Sequence, residues 1–314
     1  MAAPSLVTLP NFSRLSERVW RVLGLNPGKF TLQGTNTYLV GTGAKKYLID
    51  SGQGEAGYVP LLEQSLKAIS PEAYISDIIV THAHPDHFGG LKDILQSSLN
   101  KKGEIRIHKY PGAPMRLSEE QRVMPADLAV LPLKDSQVFE IDDQTTLQVV
   151  HTPGHTSDHC AFLLKEEQGL FTADCVLGHG TAVFEDLYTY LNGLRRLITL
   201  NPQRLYPGHG EVIEQGVKKI EEYIKHREER EQQLIELLKK PQDGGRKQWT
   251  PLEICSHIYK DYPENLHLPA ARGIILNLQK LEKEGRAKME GGSSDIANPA
   301  DLLNKEWAWV NSNL

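Results

Sequence analysis

The spacing of apolar positions changes period several times along the first two hundred residues. Short apolar runs closed by Gly or Pro, at 18–25 (RVWRVLGL), 37–43 (TYLVGTG) and 46–52 (KYLIDSG), predict strands. In 58–69 (YVPLLEQSLKAI), Val59, Leu62, Leu66 and Ile69 recur at helical spacing and form one apolar face. An apolar burst in 76–87 (SDIIVTHAHPDH) predicts a buried strand emptying into a polar loop. Strand patterns return at 104–110, 137–142, 146–156, 159–166 and 169–178, followed by a helix over 185–200 and a last strand over 204–210. Strands and helices alternating in this order predict a layered α/β architecture.

From about residue 215 the pattern becomes helical. Residues 215–240 read as one long charged helix, with Val217, Ile220, Ile224, Leu234 and Leu237 marking its buried side. The breaker PQDGGRK at 241–247 ends it. Two more helices, 250–262 and 267–286, and a β-like end at 305–312 complete the chain. Thr250 with Pro251 and Glu253 has the form of a capping box with proline at the first helical position. This tail resembles a winged helix-turn-helix module. Residues 250–314 hold seven Lys or Arg against nine Asp or Glu. Phosphate neutralisation drives nucleic-acid affinity, so the tail reads as a packing or substrate-covering appendage rather than an independent DNA reader.

Bulk composition narrows the classes further. The chain has 314 residues, enough for one large domain and a small one. Its net charge of −5 excludes a static nucleic-acid binder held by bulk charge, but leaves room for an enzyme with a local basic groove. Three cysteines, Cys160, Cys175 and Cys255, are odd in number and lack CxxC spacing, which fits a reducing compartment and no cysteine metal site. No apolar run is long enough for a membrane span. The N-terminus is free of acids up to Glu17 and carries Arg14, Arg18 and Arg21, as either a mitochondrial presequence or an ordinary first strand would.

The chemistry concentrates in THAHPDHFGG at 81–90. His82 and His84 alternate along a loop leaving a buried strand, so both imidazoles can converge on one ion. Asp86 and His87 follow on the next bend and can face a second ion, about 4 Å away in two-metal sites. Gly89 and Gly90 would then let the loop turn. Three later stretches, HTPGHTSDH at 151–159, TADCVLG at 172–178 and YPGHG at 206–210, each put a His or Asp at the end of a predicted strand. Loops at strand ends are where layered α/β folds gather their sites.

HAHPDH, His155 in TPGHT, Asp174 in FTADC and His209 in PGHG together resemble the metallo-β-lactamase superfamily over roughly residues 17–214. The resemblance implies a four-layer αββα sandwich with a small C-terminal winged-helix-like domain. It divides the chain into an N-terminal extension (1–16), the metallo-β-lactamase domain (17–214), a connecting helix and linker (215–248) and the C-terminal domain (249–314). It implies two Zn²⁺ ions, one held by His82, His84 and His155, the other by Asp86, His87 and His209, with Asp174 bridging. Asp50 in LIDSG would orient a ligand histidine. Asp86 and Asp174 are the candidate catalytic carboxylates. Cys175, one residue past Asp174, would point to the opposite strand face and fill the core.

Longer stretches, 26–43, 178–197, 221–234 and 263–285, resemble the mitochondrial β-lactamase-like endoribonucleases, with departures at Ala83, Pro85 and His179. This implies single-stranded RNA as substrate and the mitochondrial matrix as location, with the cytoplasm as the alternative. Lactamase-type thioesterases acting on polyketide carrier proteins share the NPGKFTxQGTNTY opening and the GHGTA stretch, and the ligand set also resembles the glyoxalase II (hydroxyacylglutathione hydrolase) branch, so an acyl thioester remains the competing substrate. A third reading is a non-enzymatic RNA-binding scaffold with a structural metal site. Paired zinc ions make hydroxide available near neutral pH for attack on phosphorus or on a carbonyl carbon, so the core residues do not separate the substrates. The rim must do so, and its RNA-binding candidates are Lys109, Tyr110, Tyr188, Tyr190, Arg195, Arg196 and Lys225. His179 is either a proton donor to the leaving group or a rim residue in a glycine turn. Asn36 and Thr37 either line the floor of the metal site or cap a turn.

Overall fold

The computed structural model describes residues 6–100, 103–113, 115, 128–260, 267–292, 294 and 299–310. Part of the N-terminal extension, of the PENLH segment and of the final stretch therefore lies outside the described residues. The chain forms two compact units, one comprising residues up to 184 together with 192–221, the other 185–191 together with 222 onward.

The first unit holds two sheets. The larger contains β1 (Phe12–Arg14), β2 (Val19–Leu23), β3 (Asn36–Val40), β4 (Lys45–Ile49), β5 (Tyr74–Val80), β6 (Arg106–Lys109) and β7 (Val130–Pro132), in that spatial order. Pairing is antiparallel as far as β4 and parallel from β4 to β7. The smaller has the order β12 (Arg204–Pro207), β11 (Gly169–Ala173), β10 (Cys160–Leu164), β9 (Thr145–His151), β8 (Val138–Asp142), with only β11 and β12 parallel. β1 lies upstream of the first strand run predicted, at 18–25. The extension read at 1–16 contributes an edge strand, and Arg14 and Arg21 lie in paired strands, with Arg21 buried.

Alternation along the strands makes the sandwich. Val19, Tyr38, Val40 and Ile49 from one sheet join Leu147, Val149, Phe162, Phe171 and Tyr206 from the other in one buried cluster, so the two sheets face each other. The opposite side of the larger sheet, with Trp20, Val22, Leu39, Leu48 and Ile78, packs on α1 (Tyr58–Ile69), α2 (Pro85–Phe88) and α3 (Leu91–Gln96) through Leu62, Leu66, Phe88 and Leu91. The anticipated face of α1 is the one used, although Val59 and Ile69 are only half-buried while Tyr58 and Ser65 are fully covered. α4 (Leu187–Thr199) places Arg196 against β9, where it donates to the His151 carbonyl at 3.0 Å.

The second unit is a winged helix. Beyond α5 (Gly216–Leu238), a three-stranded sheet with the order β13 (Gln248–Trp249), β15 (Trp307–Trp309), β14 (Ala287–Met289) accompanies α6 (Pro251–Ile258) and α7 (His267–Lys283). Trp249, Ile254, Ile274, Leu278 and Trp307 share its core. The Thr250–Glu253 capping box forms in both directions, at 3.2 and 2.8 Å, with Pro251 in the first turn. No helix among the described residues is long and apolar enough to cross a membrane.

One carboxylate in the larger sheet is fully buried. Asp77 on β5 accepts from His108 at 2.7 Å and from Arg106 at 2.9 Å on the neighbouring β6. Burial alone would raise its pKa, but these hydrogen bonds outweigh burial and hold it at about 2, below the ordinary 3.8. The stability it contributes is present above pH 4 and lost as pH falls towards 2. Asp77→Asn should therefore cost about 2 kcal/mol at neutral pH, with the gap to wild type closing below pH 4, as read by denaturant unfolding across pH.

Candidate metal centre

Strand ends deliver the site. His82 and His84 follow β5, His155 follows β9, Asp174 follows β11 and His209 follows β12, all from the same edge of the sandwich. Asp86 and His87 do not lie in a loop, as the sequence predicted, but in the single turn of α2. His84 is its extended N-cap residue and Pro85 opens the turn, where its missing N–H costs nothing. Gly89 and Gly90 have ordinary right-handed backbone angles, so they are not needed for turning. A Cβ on Gly90 would stand 2.1 Å from the Ser51 carbonyl oxygen, and closeness to the β4 end is what requires glycine.

The seven residues come together as two groups, His82, His84, His155 and Asp174, and Asp86, His87 and His209. In the first, His82 Nε2, His84 Nδ1 and His155 Nε2 lie 3.0–3.2 Å apart. In the second, Asp86 Oδ2 lies 3.2 Å from both His87 Nε2 and His209 Nε2. Asp174 faces both groups: Oδ1 is 3.4 Å from His87 Nε2 and from His209 Nε2, and Oδ2 is 3.7 Å from His155 Nε2.

Outward nitrogens fix the inward ones. His87 Nδ1 donates to Asp50 Oδ2 at 2.7 Å, and His155 Nδ1 donates to the Val183 carbonyl at 2.7 Å. His82 Nδ1 meets Thr81 Oγ1 at 2.9 Å, and that hydroxyl donates to Asp50 Oδ2 at 3.0 Å. With these protons outward, His82 Nε2 and His155 Nε2 turn unprotonated lone pairs at each other across 3.2 Å. His87 Nε2 and Asp174 Oδ1 are buried without a hydrogen-bond partner. Facing lone pairs and unsatisfied buried acceptors are the signature of a cation site.

The charge distribution points the same way. Burial pulls the pKa values of His82, His84 and His155 down and favours neutral imidazoles. Burial also opposes charge on His87 and His209, but Asp174 and Asp86 outweigh it: His87 is held well above its ordinary value and His209 is raised to about 9. The carboxylates of Asp86 and Asp174 thus demand positive charge at the second group, which a bound cation would supply.

Supporting residues account for the remaining geometry. Asp50 is the orienting aspartate that the family pattern implied, and it serves His87 directly and His82 through Thr81, a residue that sequence reading passed over. It sits at φ +60 just past β4, a left-handed backbone that aims its carboxylate inward. Asn36 and Thr37 do not line the floor. Asn36 donates to the carbonyls of Pro207 and Gly210 at 2.9 Å and so staples the His209 turn, while Thr37 bonds Val22 and Tyr58. A Cβ on Gly208 would fall 2.4 Å from Asp174 Oδ1. Cys175 fills the core as expected, but from a turn beyond β11 rather than from the far face of a strand, and burial raises its thiol pKa.

Most of the rim candidates are committed elsewhere. Lys109 is buried and ion-paired to Asp158 at 2.7 Å, while Tyr110 stacks on His151 with centroids 3.8 Å apart. Arg196 pairs with Asp135 at 2.8 Å, Tyr190 is buried, and Arg195 lies 3.4 Å from Asn192 Oδ1. Tyr188 and Lys225 are exposed in the second unit. A cleft of about 350 Å³ opens over the metal centre instead, lined by Lys29, Phe30, His179 and Val183 above His84, Asp86, His155, Asp174 and His209.

The profile of the metallo-beta-lactamase superfamily matches residues 30–209, which span the whole cluster. The chain belongs to the metallo-β-lactamase superfamily. The superfamily is one of metal-dependent hydrolases, and the two His/Asp groups are its metal-binding cluster in this chain. A beta-lactamase associated winged helix profile matches residues 250–295. A Drosophila melanogaster protein named beta-lactamase-like protein 2 homolog is 40% identical over 294 residues, covering 92% of this chain and 96% of its own. An Aspergillus fumigatus relative named atrochrysone carboxyl ACP thioesterase is 36% identical over 302 residues, covering 92% and 90%. The crystal structure of a beta-lactamase domain protein from Burkholderia ambifaria shares the fold, with a TM-score of 0.74, 98% and 97% coverage and 20% identity.

Asp50 controls one histidine of each metal group, so its amide variant tests the arrangement. Asp50→Asn should weaken metal binding at the cluster about 10- to 100-fold, measured by competition with a chromophoric chelator.

Proposed function

We propose that the protein is a zinc-dependent endoribonuclease that cleaves single-stranded RNA. The observation that carries this reading is the mouth of the cleft, where Lys29 and His179 stand on the walls above the seven-residue cluster. A cation beside a metal centre suits an anionic phosphodiester, and a histidine there can carry a proton to a departing oxygen. Imidazole and carboxylate donors without thiolate suit two zinc ions.

When bound, the metals supply Lewis acidity and a hydroxide source near neutral pH. The chain's own residues do the rest. Asp174, facing both groups, holds them in one frame, and Asp86 completes the second. Lys29 is exposed at the entrance and neutralises a phosphate oxygen. His179, half-buried on the wall, donates to the leaving oxygen. The mitochondrial matrix is the place of action on this reading.

Hydrolysis of an acyl thioester is the second reading. It is supported by the apolar part of the wall, Leu32, Leu177 and Val183, and by the name of the Aspergillus fumigatus relative. Zinc-loaded protein presented side by side with a uridine-rich RNA oligonucleotide and a panel of acyl thioesters should cleave the RNA. Asp86→Ala should lower that rate more than about 100-fold. Turnover of thioesters alone would overturn the ribonuclease assignment, and RNA cleavage that survives in Asp86→Ala would remove the metal centre from the mechanism.

A further inference from the structure

We infer that Phe30 is a stacking platform for a nucleobase of the bound strand, held at the mouth of the metal cleft by a loop built for rigidity; this rests on the ribonuclease reading above.

Phe30 is 74% exposed, the most exposed of the large hydrophobic side chains among the described residues. An isolated exposed ring is unremarkable on a protein surface, but this one lines the same cleft as five residues of the metal cluster. The segment carrying it is not a loose tip. Gly28 N–H donates to the Leu32 carbonyl at 3.1 Å, Gly34 N–H to Thr31 at 2.8 Å, Thr31 Oγ1 to Asn26 at 2.6 Å and Gln33 Nε2 to Val7 at 2.6 Å. Leu32 is held at φ +56, a left-handed conformation that a leucine adopts only under constraint.

The base of the loop is tied to the metal centre. Asn26 and Thr35 exchange two hydrogen bonds at 2.9 and 3.0 Å, and Thr35 Oγ1 donates to Asp86 Oδ2 at 3.3 Å. The Gly34 carbonyl lies 3.4 Å from His209 Nδ1. A short braced arm thus runs from two residues of the cluster to an exposed aromatic face.

The chemistry at its end is that of a nucleotide. Lys29 Nζ lies 5.7 Å from the Phe30 ring centroid, so one flat apolar face and one cation sit together. An acyl chain has use for the ring but none for the ammonium. A nucleotide uses both, base against ring and phosphate against lysine. Stacking accepts any base face, so the platform confers affinity for unpaired strands with little choice of sequence.

The test uses the full chain, a uridine oligonucleotide and the same ribose-phosphate oligomer lacking bases. Phe30→Ala and Phe30→Leu should raise KM for the oligonucleotide about 5- to 100-fold with kcat nearly unchanged, while Phe30→Trp restores it. In metal-free Phe30→Trp, the oligonucleotide should quench the introduced indole and the base-free oligomer should not. An unchanged KM in Phe30→Ala, or rescue by leucine as complete as by tryptophan, overturns the platform while wild-type RNA cleavage leaves the ribonuclease reading standing. Absence of RNA cleavage by wild type, with no quenching in the tryptophan variant, overturns both.

Discussion

The carboxylate of Asp50 is the contact on which the metal centre turns. It is fully enclosed, and burial raises its pKa against the pull of His87 and the donors from Thr81. A charge placed there is costly unless every lone pair finds a donor. His87 Nδ1, Thr81 N–H and Thr81 Oγ1 meet that demand, and each is thereby fixed in direction. Two histidines belonging to different metal groups inherit their orientation from one oxygen atom. The left-handed backbone at Asp50 and the glycine at 90, whose closeness to Ser51 leaves no room for a side chain, are the local concessions that put the carboxylate there.

Around that contact the two sheets act as a clamp. The larger supplies His82 and His84 at a strand end and Asp86 and His87 on the turn that follows. The smaller supplies His155, Asp174 and His209 from three strand ends. A register shift between Phe171 and Ala173, with Ala173 at φ 42, bends the chain just before Asp174. Asn36 in the first sheet holds the PGHG turn of the second, so the two contributions are locked in depth as well as in direction.

Much of this was legible beforehand because its signals are local. The HxHxDH spacing and the His or Asp after each strand depend only on sequence distance and strand termination, and all seven residues converge. The helical face of α1 and the Thr250 cap were readable for the same reason. Features set by tertiary contact were not. Whether Lys109 was a free cation depended on Asp158, far along the chain, and whether Tyr190 was exposed depended on what covered it. Gly89 and Gly90 were assigned to turning because spacing carries no information about the Ser51 and Gln53 carbonyls beside them. Lys29 and Phe30 had no periodic pattern to mark them and became visible only as walls of a cleft. Edge strands β1 and β7, at three residues each, are too short to show alternation.

The split of the cluster between a local segment and distant strands has a thermodynamic meaning. His82, His84, Asp86 and His87 remain neighbours in an unfolded chain, but His155, Asp174 and His209 join them only when both sheets are assembled. The full donor set therefore exists in the native state alone, and ion binding is linked to folding by mass action. Metal supply then bears on the stability of the fold as well as on the chemistry of the site, because the converging carboxylates and imidazoles are held together in the interior by the cation they share.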